Sequence, residues 1–492
     1  METQQTIGGA LRGIISSVIF QLATRVVTFI SNVIVVRSVS EEVTGFFHVH
    51  LQLMMDVVFF ISREIVRRTI MRKLSDNLNK AISLSMLRIV IGVGIEIILL
   101  PFLYFRAPDI QYAFTSYFIY SIGLAITLFE EPYLMNMILT QQYNQRFFFE
   151  VPIVLIGTIL QSGLIHFFPE YALLIYPTVY TITTSFVILS YKIFVPLPPF
   201  DKEVLSLNSL KEYKEEFKLY TRQTLQKLLL QEGERTVLVL TTTLSIQGIF
   251  SVISNISSLI VRFLFLPIEE VCYSLFSKMR NNKEEAIQAF CSFFKILIYI
   301  ALLVLCFGPP YSKAFLDFLY NNEEYTKNSH LLIIAFLSIA TIAINGVSEA
   351  FFHATATEKQ LKQSNNFMFI FSIVYVTLCI ILTKFIGTSG LFFANILNMM
   401  LRIVYSHWNI YQQFGKLPWK NIIPNGITLI SLICLFGINY VVALNLQMKS
   451  FICLCVGGCL GICELAIIYL CDKEFVVSLK NFFMEKRSLK NK

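Results

Sequence analysis

Arginine, lysine and glutamate residues lie inside several long apolar stretches of this sequence, although only 15% of its 492 residues are charged and 55% are hydrophobic. A charge at the centre of a bilayer costs roughly 2.5–3.5 kcal/mol on insertion-derived scales, so it persists only where it is paired or lines a polar cavity. The guanidinium group presents a fork of N–H donors that suits phosphate oxygens. The pattern therefore predicts a membrane protein with a polar interior, suited to an anionic substrate.

The first two apolar stretches carry most of this positive charge. Arg25 lies near the centre of the first, with Gln21 one turn before it, and the second ends in Ser62-Arg63-Glu64-Ile65-Val66-Arg67-Arg68. Glu64 has helical spacing to the two later arginines, so pairing within the helix is the simpler explanation of this carboxylate. One glutamate does not neutralise three arginines. We therefore expect surplus positive charge where this helix meets the lipid headgroups.

The stretch 219–244 is the most polar of the set. On a helix, one face would carry Gln223, Lys227, Gln231 and Glu234. Glu232 and Arg235 lie elsewhere around the cylinder. A helix this polar cannot face lipid, so we interpret it as lining a cavity. The alternative is a cytoplasmic amphipathic segment that leads into a shorter span.

Further polar positions suggest an internal duplication. Glu131 lies in the fourth apolar stretch and Glu349 in the tenth, where Asn345 precedes it by one helical turn. The second stretch ends in a basic run, and the eighth, which contains Arg262, ends in Glu269 followed by basic residues. In both cases the matching stretches are six apart. Transporters commonly contain such repeated bundles, with the substrate site between them.

Fourteen stretches are long enough to cross a membrane as helices, since a span needs about 20 apolar residues. They run over 8–36, 43–62, 81–105, 112–140, 147–166, 171–191, 219–244, 248–276, 286–307, 331–350, 365–383, 390–411, 422–444 and 450–471. We group them by the duplication. The predicted domains are a six-helix bundle at 1–191, a cytoplasmic linker at 192–218, a second six-helix bundle at 219–411, two additional helices at 412–471 and a basic tail at 472–492.

Loop charges predict the orientation of the chain. Connections after even-numbered spans, together with the termini, carry 25 Lys and Arg residues, whereas those after odd-numbered spans carry six. Basic loops stay in the cytoplasm, so both termini are predicted to be cytoplasmic. This topology also explains the net charge of +8 without a nucleic-acid partner.

Several enzyme classes lack their motifs in this sequence. The ten cysteines lie within or at the edge of spans, where we interpret them as packed thiols rather than metal ligands or disulfides. There is no Gly-rich nucleotide-binding loop, and the connections on the side opposite the termini are too short for a glycosyltransferase site. We expect no metal, cofactor or catalytic residue.

Six dispersed motifs resemble the lipid-linked oligosaccharide translocation proteins of the endoplasmic reticulum. They are Ser62-Arg63-Glu64-Ile65-Val66-Arg67-Arg68, Glu131-Pro132, Gln231-Glu232-Gly233-Glu234-Arg235, Pro267-Ile268-Glu269-Glu270, Ala343-Ile344-Asn345-Gly346-Val347-Ser348-Glu349 and Ala394-Asn395-Ile396-Leu397-Asn398-Met399. The resemblance covers essentially the whole chain. Ser62 and Thr69 depart from it, since alanine is common at both positions in that family.

The resemblance implies a fold and a function. The family is similar to the MATE-like superfamily of exporters, which implies an all-α polytopic membrane protein with two six-helix bundles in a V and two additional C-terminal helices. The implied function is to move, or to assist in moving, a dolichyl-pyrophosphate oligosaccharide from the cytosolic to the lumenal leaflet for protein N-glycosylation. The implied partners are that lipid, the surrounding membrane and other N-glycosylation proteins.

We assign hypothetical roles to the polar residues on this basis. The pyrophosphate would be contacted by Arg25, Arg63, Arg67 and Arg262, and sugar hydroxyls by Gln21, Gln223, Gln231 and Asn345. Supporting charge pairs or gates would be formed by Glu64, Arg68, Glu131, Lys227, Glu232, Glu234, Arg235, Glu269 and Glu349. A noncatalytic scaffold and a cation-coupled exporter are the alternative functions.

Overall fold

The computed structural model describes residues 24–105, 108–279, 282–415, 422–445 and 450–472, and within these ranges the chain is helical. The helices form two compact units, residues 1–248 and 249–492.

The first unit contains eleven α-helices among its described residues. They are α1 (24–38), α2 (Glu41–Gly45), α3 (Gln52–Lys73), α4 (Leu78–Ser85), α5 (Leu87–Phe105), α6 (Ala113–Leu128), α7 (Glu131–Leu139), α8 (Tyr143–Phe167), α9 (Ala172–Phe194), α10 (Leu207–Glu212) and α11 (Lys214–Thr241). A π-helical turn, Phe46–Leu51, joins α2 to α3, so the three segments form one continuous span.

The second unit contains the remaining described helices. They are α12 (Leu244–Ile260, which begins at the end of the first unit), α13 (Leu266–Lys278), α14 (Lys283–Tyr320), α15 (Glu323–Lys327), α16 (Ser329–Thr355), α17 (Glu358–Ile386), α18 (Ser389–Phe414), α19 (Gly426–Asn445) and α20 (Ser450–Cys471). A second π-helical turn, Val261–Phe265, joins α12 to α13. Two-thirds of the most apolar part of α16 is buried, because α13, α14 and α18 all pack against it.

Local sequence explains where several helices begin. The Thr357 side chain accepts a hydrogen bond from the backbone of Gln360, whose side chain accepts one from the Thr357 backbone, so α17 begins with a capping box. Asn77 and Asn282 cap α4 and α14 through their side-chain oxygens. All ten cysteines are free thiols.

Eleven of the described helical segments are long and apolar enough to cross a membrane. The structure therefore confirms an all-helical polytopic membrane protein. The predicted number of fourteen is not confirmed. The span predicted at 8–36 lies largely outside the described residues, while α11 and α18 form helices over the predicted spans 219–244 and 390–411 but are more polar than the other eleven.

The division into bundles also stays a prediction. The compact units divide after Gly248 rather than within the linker at 192–218. The helix α11, which we predicted to open the second bundle, packs against α3 of the first unit. Its polar side chains therefore face those of α3, as described below.

A close approach of two backbones fixes the start of α12 on the first unit. A Cβ atom added to Gly248 would collide with the carbonyl oxygen of Glu41, and one added to Gly45 would collide with that of Leu244. Beside this crossing, Nε2 of His50 lies 2.9 Å from the Gln247 side-chain oxygen. Because the colliding atoms belong to the backbone, side-chain rearrangement cannot relieve the clash.

The Gly248→Ala substitution should therefore lower the free energy of unfolding by about 1–3 kcal/mol, the usual range for overpacking. Thermal unfolding of the detergent-purified protein measures this. Gly94→Ala is the matched control, because Gly94 is also helical and has open space around its Cβ position. It should leave stability unchanged or raise it by up to about 1 kcal/mol. Equal stability of both variants would contradict the crossing.

Candidate functional site

The C-terminal half of α3 forms one wall of an arginine-rich cleft of about 630 Å³ in the first unit. The cleft is lined by Arg63, Glu64, Arg67, Arg68, Met71, Arg72 and Tyr220. Four of these side chains are guanidinium groups and one is a carboxylate. Arg63 lies four residues before Arg67 and Arg68 lies four before Arg72, so successive helical turns point each pair to the same side.

A buried carboxylate organises the inner end of the cleft. Glu131, at the start of α7, is 1% exposed and accepts hydrogen bonds from Nε and Nη2 of Arg67, both at 2.8 Å. It also accepts one from Nη1 of Arg88 on α5, at 2.8 Å. Arg88 is 3% exposed, and its guanidinium lies 5.2 Å from the centre of the Phe59 ring. One carboxylate thus holds two arginines from two different helices.

Arg68 joins α3 to α11 across the cleft. Its Nε donates to Glu64 at 2.6 Å, and its Nη1 donates to the Gln223 side-chain oxygen at 2.9 Å. The Tyr220 ring lies 5.9 Å from its guanidinium carbon, within cation–π range. The predicted intrahelical pair of Glu64 is therefore confirmed for Arg68, whereas Arg67 pairs with Glu131 instead.

A second group of ion pairs connects α3 and α11 nearer the N-terminal end of α3. Nη1 of Arg235 donates to Asp56 at 2.6 Å and to Glu232 at 2.7 Å. The Gln52 side-chain amide donates to both Asp56 oxygens, at 3.1 and 3.2 Å. These contacts explain how a helix as polar as α11 packs inside a membrane protein.

The second unit contains a separate polar cluster around α16. Both oxygens of Glu349 accept hydrogen bonds from Nη2 of Arg402 on α18, at 2.7 and 2.6 Å. The Asn345 amide donates to Glu349 at 3.0 Å, and Nε2 of His353 lies 3.5 Å from the same carboxylate. Glu269 on α13 lies against Gly346, where any added Cβ would collide with its carboxylate.

The remaining predicted site residues are distributed over both units. Gln21 lies outside the described residues, and Arg25 is half-buried on α1. On α11, Lys227 and Gln231 are exposed and Glu234 is half-buried. Arg262 lies exposed in the π-helical turn of the second unit.

Sequence reasoning missed three charged residues that the structure places in these clusters, Asp56, Arg88 and Arg402, and the buried Glu96 outside them. All four lie in the predicted spans 43–62, 81–105 and 390–411, so the rule that drew attention to Arg25 would have found them. Glu96 is 3% exposed and accepts a hydrogen bond from Ser121 at 2.9 Å. No group of three or more His, Cys, Asp or Glu side chains that could hold a metal ion occurs in the described part of the chain.

The sequence and the fold both have relatives. The family model Rft-1, described as Rft protein, matches residues 9–482. The Man(5)GlcNAc(2)-PP-dolichol translocation protein RFT1 of Dictyostelium discoideum is 31% identical over an alignment that covers 96% of this chain and 95% of the relative. The protein with the same name from Xenopus tropicalis is 28% identical, with 86% of both chains covered.

Two solved structures share the fold. The lipid II flippase MurJ, in an inward closed conformation, has a TM-score of 0.65 and 15% identity, covering 92% of this chain and 99% of its own. An inward-facing MATE family transporter of the MOP superfamily has a TM-score of 0.55 and 16% identity, covering 78% of this chain and 94% of its own. At these identities the likeness shows the fold alone.

Removing the charge of Glu131 should destabilise the first unit strongly. In a Glu131→Gln variant the buried Arg88 loses its counter-charge, and breaking a buried ion pair costs about 3–5 kcal/mol. Thermal unfolding and the amount of protein in the membrane both report this loss. Glu64→Gln is the matched control. Because Glu64 is partly exposed and belongs to an i,i+4 pair, its replacement should cost at most about 1 kcal/mol. Equal losses in the two variants would contradict the central role of Glu131.

Proposed function

This chain belongs to the Rft-1 family, and from that membership we propose that it translocates Man5GlcNAc2-PP-dolichol from the cytosolic to the lumenal leaflet of the endoplasmic reticulum membrane. The translocated lipid would serve protein N-glycosylation. The chain is a transporter-type protein rather than an enzyme, in keeping with its family and with its MurJ- and MATE-like fold.

The arginine-rich cleft is the observation that carries this proposal. The proposed substrate joins a pyrophosphate to a large polar glycan and a long apolar tail. Unsatisfied polar groups cost several kcal/mol each in hydrocarbon, so the head needs a polar route. The lining of the cleft carries four arginines against one carboxylate, Glu64. This surplus positive charge matches a pyrophosphate dianion.

We propose that Arg63, which lines the cleft together with Arg67, makes the main contact with the pyrophosphate. Arg67 retains contact with solvent, at 28% exposure, while its inner edge is held by Glu131. Arg25 and Arg262 would guide the same group before or after it occupies the cleft. Glycan hydroxyls would be contacted by Gln21, Gln223, Gln231 and Asn345.

The carboxylates of the proposed site would hold the arginine side chains in position or gate the path of the lipid head group. Glu64 and Glu131 hold Arg68 and Arg67, and Glu232 holds Arg235. Glu234, Glu269, Glu349 and Lys227 complete this supporting set. The dolichyl tail would remain in lipid.

The finer architecture is part of the same proposal. It comprises fourteen spans, arranged as two six-helix bundles and two additional helices, with both termini in the cytoplasm. Other N-glycosylation proteins would be partners at the membrane. The basic connections on the proposed cytoplasmic side support this orientation.

Reconstitution tests the proposal directly. Purified protein in vesicles should accelerate leaflet exchange of a labelled Man5GlcNAc2-PP-dolichol above protein-free vesicles. The same preparation should not exchange a dolichyl glycan that lacks the pyrophosphate. No acceleration by folded protein would contradict translocation and favour the scaffold alternative. Exchange that needs an ion gradient and accepts unrelated small molecules would favour the exporter alternative.

The Arg63→Ala variant should lower the exchange rate by about tenfold to a hundredfold, because a hydrogen-bonded charged contact is worth roughly 1.5–3 kcal/mol. Arg63→Lys should recover only part of this loss, since lysine lacks the planar donor fork. In cells, a null strain complemented with each variant should show the same order, with underglycosylation of a reporter protein greater for Arg63→Ala than for Arg63→Lys.

Arg37→Ala is the control for this series, because Arg37 is an exposed arginine that directly follows the first predicted span, 8–36. It should exchange like the unchanged protein. Normal exchange by an Arg63→Ala variant that reaches the usual protein level would remove Arg63 from the mechanism.

A further inference from the structure

Glu269 is a carboxylate inside a membrane span that lacks a counter-charge of its own. It lies on α13, within the apolar span Leu244–Lys278, and is half-buried. Its carboxylate rests against Gly346 of α16 and makes no hydrogen bond or ion pair with the residues that the structure describes. An ionised carboxylate without a hydrogen-bond donor is costly inside an apolar span, and binding a proton removes its charge.

The nearby cation does not supply this counter-charge. Arg402 is the guanidinium close enough to interact electrostatically with Glu269, but it donates to both oxygens of Glu349. Glu349 also receives the Asn345 amide, so Arg402 and Glu349 form a completed pair. Two carboxylates thus lie near one arginine, which pairs with Glu349.

The other titratable and charged groups around Glu269 do not alter this balance. On α13 itself, Glu270 is exposed and Cys272 is a buried thiol, and the neighbouring π-helical turn carries the exposed Arg262. From α16, His353 faces Glu349. The α14 surface against α13 is aromatic, with Phe290 and Phe293 around Phe276.

An unpaired amide oxygen in the same cluster points to a ligand that donates a hydrogen bond. Asn345 is 5% exposed, and its Oδ1 has no partner among the described atoms. Its orientation is fixed, because the carboxylate of Glu349 accepts only and must face the NH₂ group. Nε of Arg402 is an unpaired donor in the same cluster. The unpaired acceptors, which are Asn345 Oδ1 and the Glu269 carboxylate, still outnumber it.

We propose that Glu269, with Asn345, Glu349 and Arg402 nearby, forms a proton-binding site that couples a proton to translocation. Glu269 takes the proton from the aqueous phase, an O–H bond forms on its carboxylate, and no other bond changes. The neutral acid then contributes one donor to the acceptor-rich cluster. When the proton leaves, Glu269 and Glu349 are both negative beside the single positive charge of Arg402. Their repulsion favours a different arrangement of α13 against α16.

The coupling of proton binding to translocation rests on the proposed function. Proton binding by Glu269 can be measured whether or not that function holds. Infrared difference spectra of the detergent-purified protein should show a carboxylic-acid C=O band that disappears as the pH is raised. Glu269→Gln should lack this band. Glu270→Gln is the matched control, since it changes the adjacent exposed carboxylate, and it should retain the band.

A second variant covers the case in which Glu269→Gln fails to fold. Glu269→Asp keeps the acid and should titrate at a shifted pH. A band that remains unchanged in folded Glu269→Gln or Glu269→Asp would overturn the proton site.

Leaflet exchange in vesicles then tests the coupling. One coupled proton should change the wild-type exchange rate by up to about tenfold per pH unit, and Glu269→Gln should remove this dependence. A pH dependence that Glu269→Gln retains would overturn the coupling. Absence of exchange by the wild-type protein at every pH would contradict the proposed function, while the infrared titration still decides the proton site.

Discussion

The first unit depends on neutralising arginine inside a membrane protein. Arg88 is almost fully buried, and an unpaired guanidinium in such a place would cost several kcal/mol. Glu131 meets this need and binds Arg67 at the same time. Because these three residues belong to α5, α7 and α3, one carboxylate fixes the positions of three helices. With Arg67 held from behind, the neighbouring side chains of α3 form an open, positively charged wall.

The two units use similar residues with opposite electrostatic results. In the first, one buried glutamate pairs with two arginines; in the second, one arginine lies near two glutamates and pairs with Glu349. The predicted duplication relates Glu131 to Glu349, yet the partner cation comes from α3 and α5 in one unit and from α18 in the other. We propose that the first unit serves an anionic substrate and the second binds a proton.

Much of the fold and part of the site followed from sequence. Apolar length predicted a polytopic helical protein. The polarity of 219–244 drew attention to α11, whose Gln223 and Arg235 contact polar side chains of α3, while its role in lining a cavity stays a prediction. Helical spacing predicted the Glu64–Arg68 pair but not the pairing of Arg67 with Glu131, 64 residues away. Spacing reports neighbours within one helix, whereas partners on other helices depend on packing. Arg88 could have been noted from sequence as a charge inside the predicted span 81–105, but its pairing with Glu131 could not.

We propose that surplus positive charge in the cleft recognises the pyrophosphate. Equilibrium binding of a short-chain, water-soluble Man5GlcNAc2-pyrophosphate lipid analogue to the purified protein, measured against ionic strength, is the decisive experiment. We predict that the affinity falls steeply with salt and that inorganic pyrophosphate competes while the free glycan does not. Binding that is indifferent to salt and displaced by the free glycan alone would contradict it.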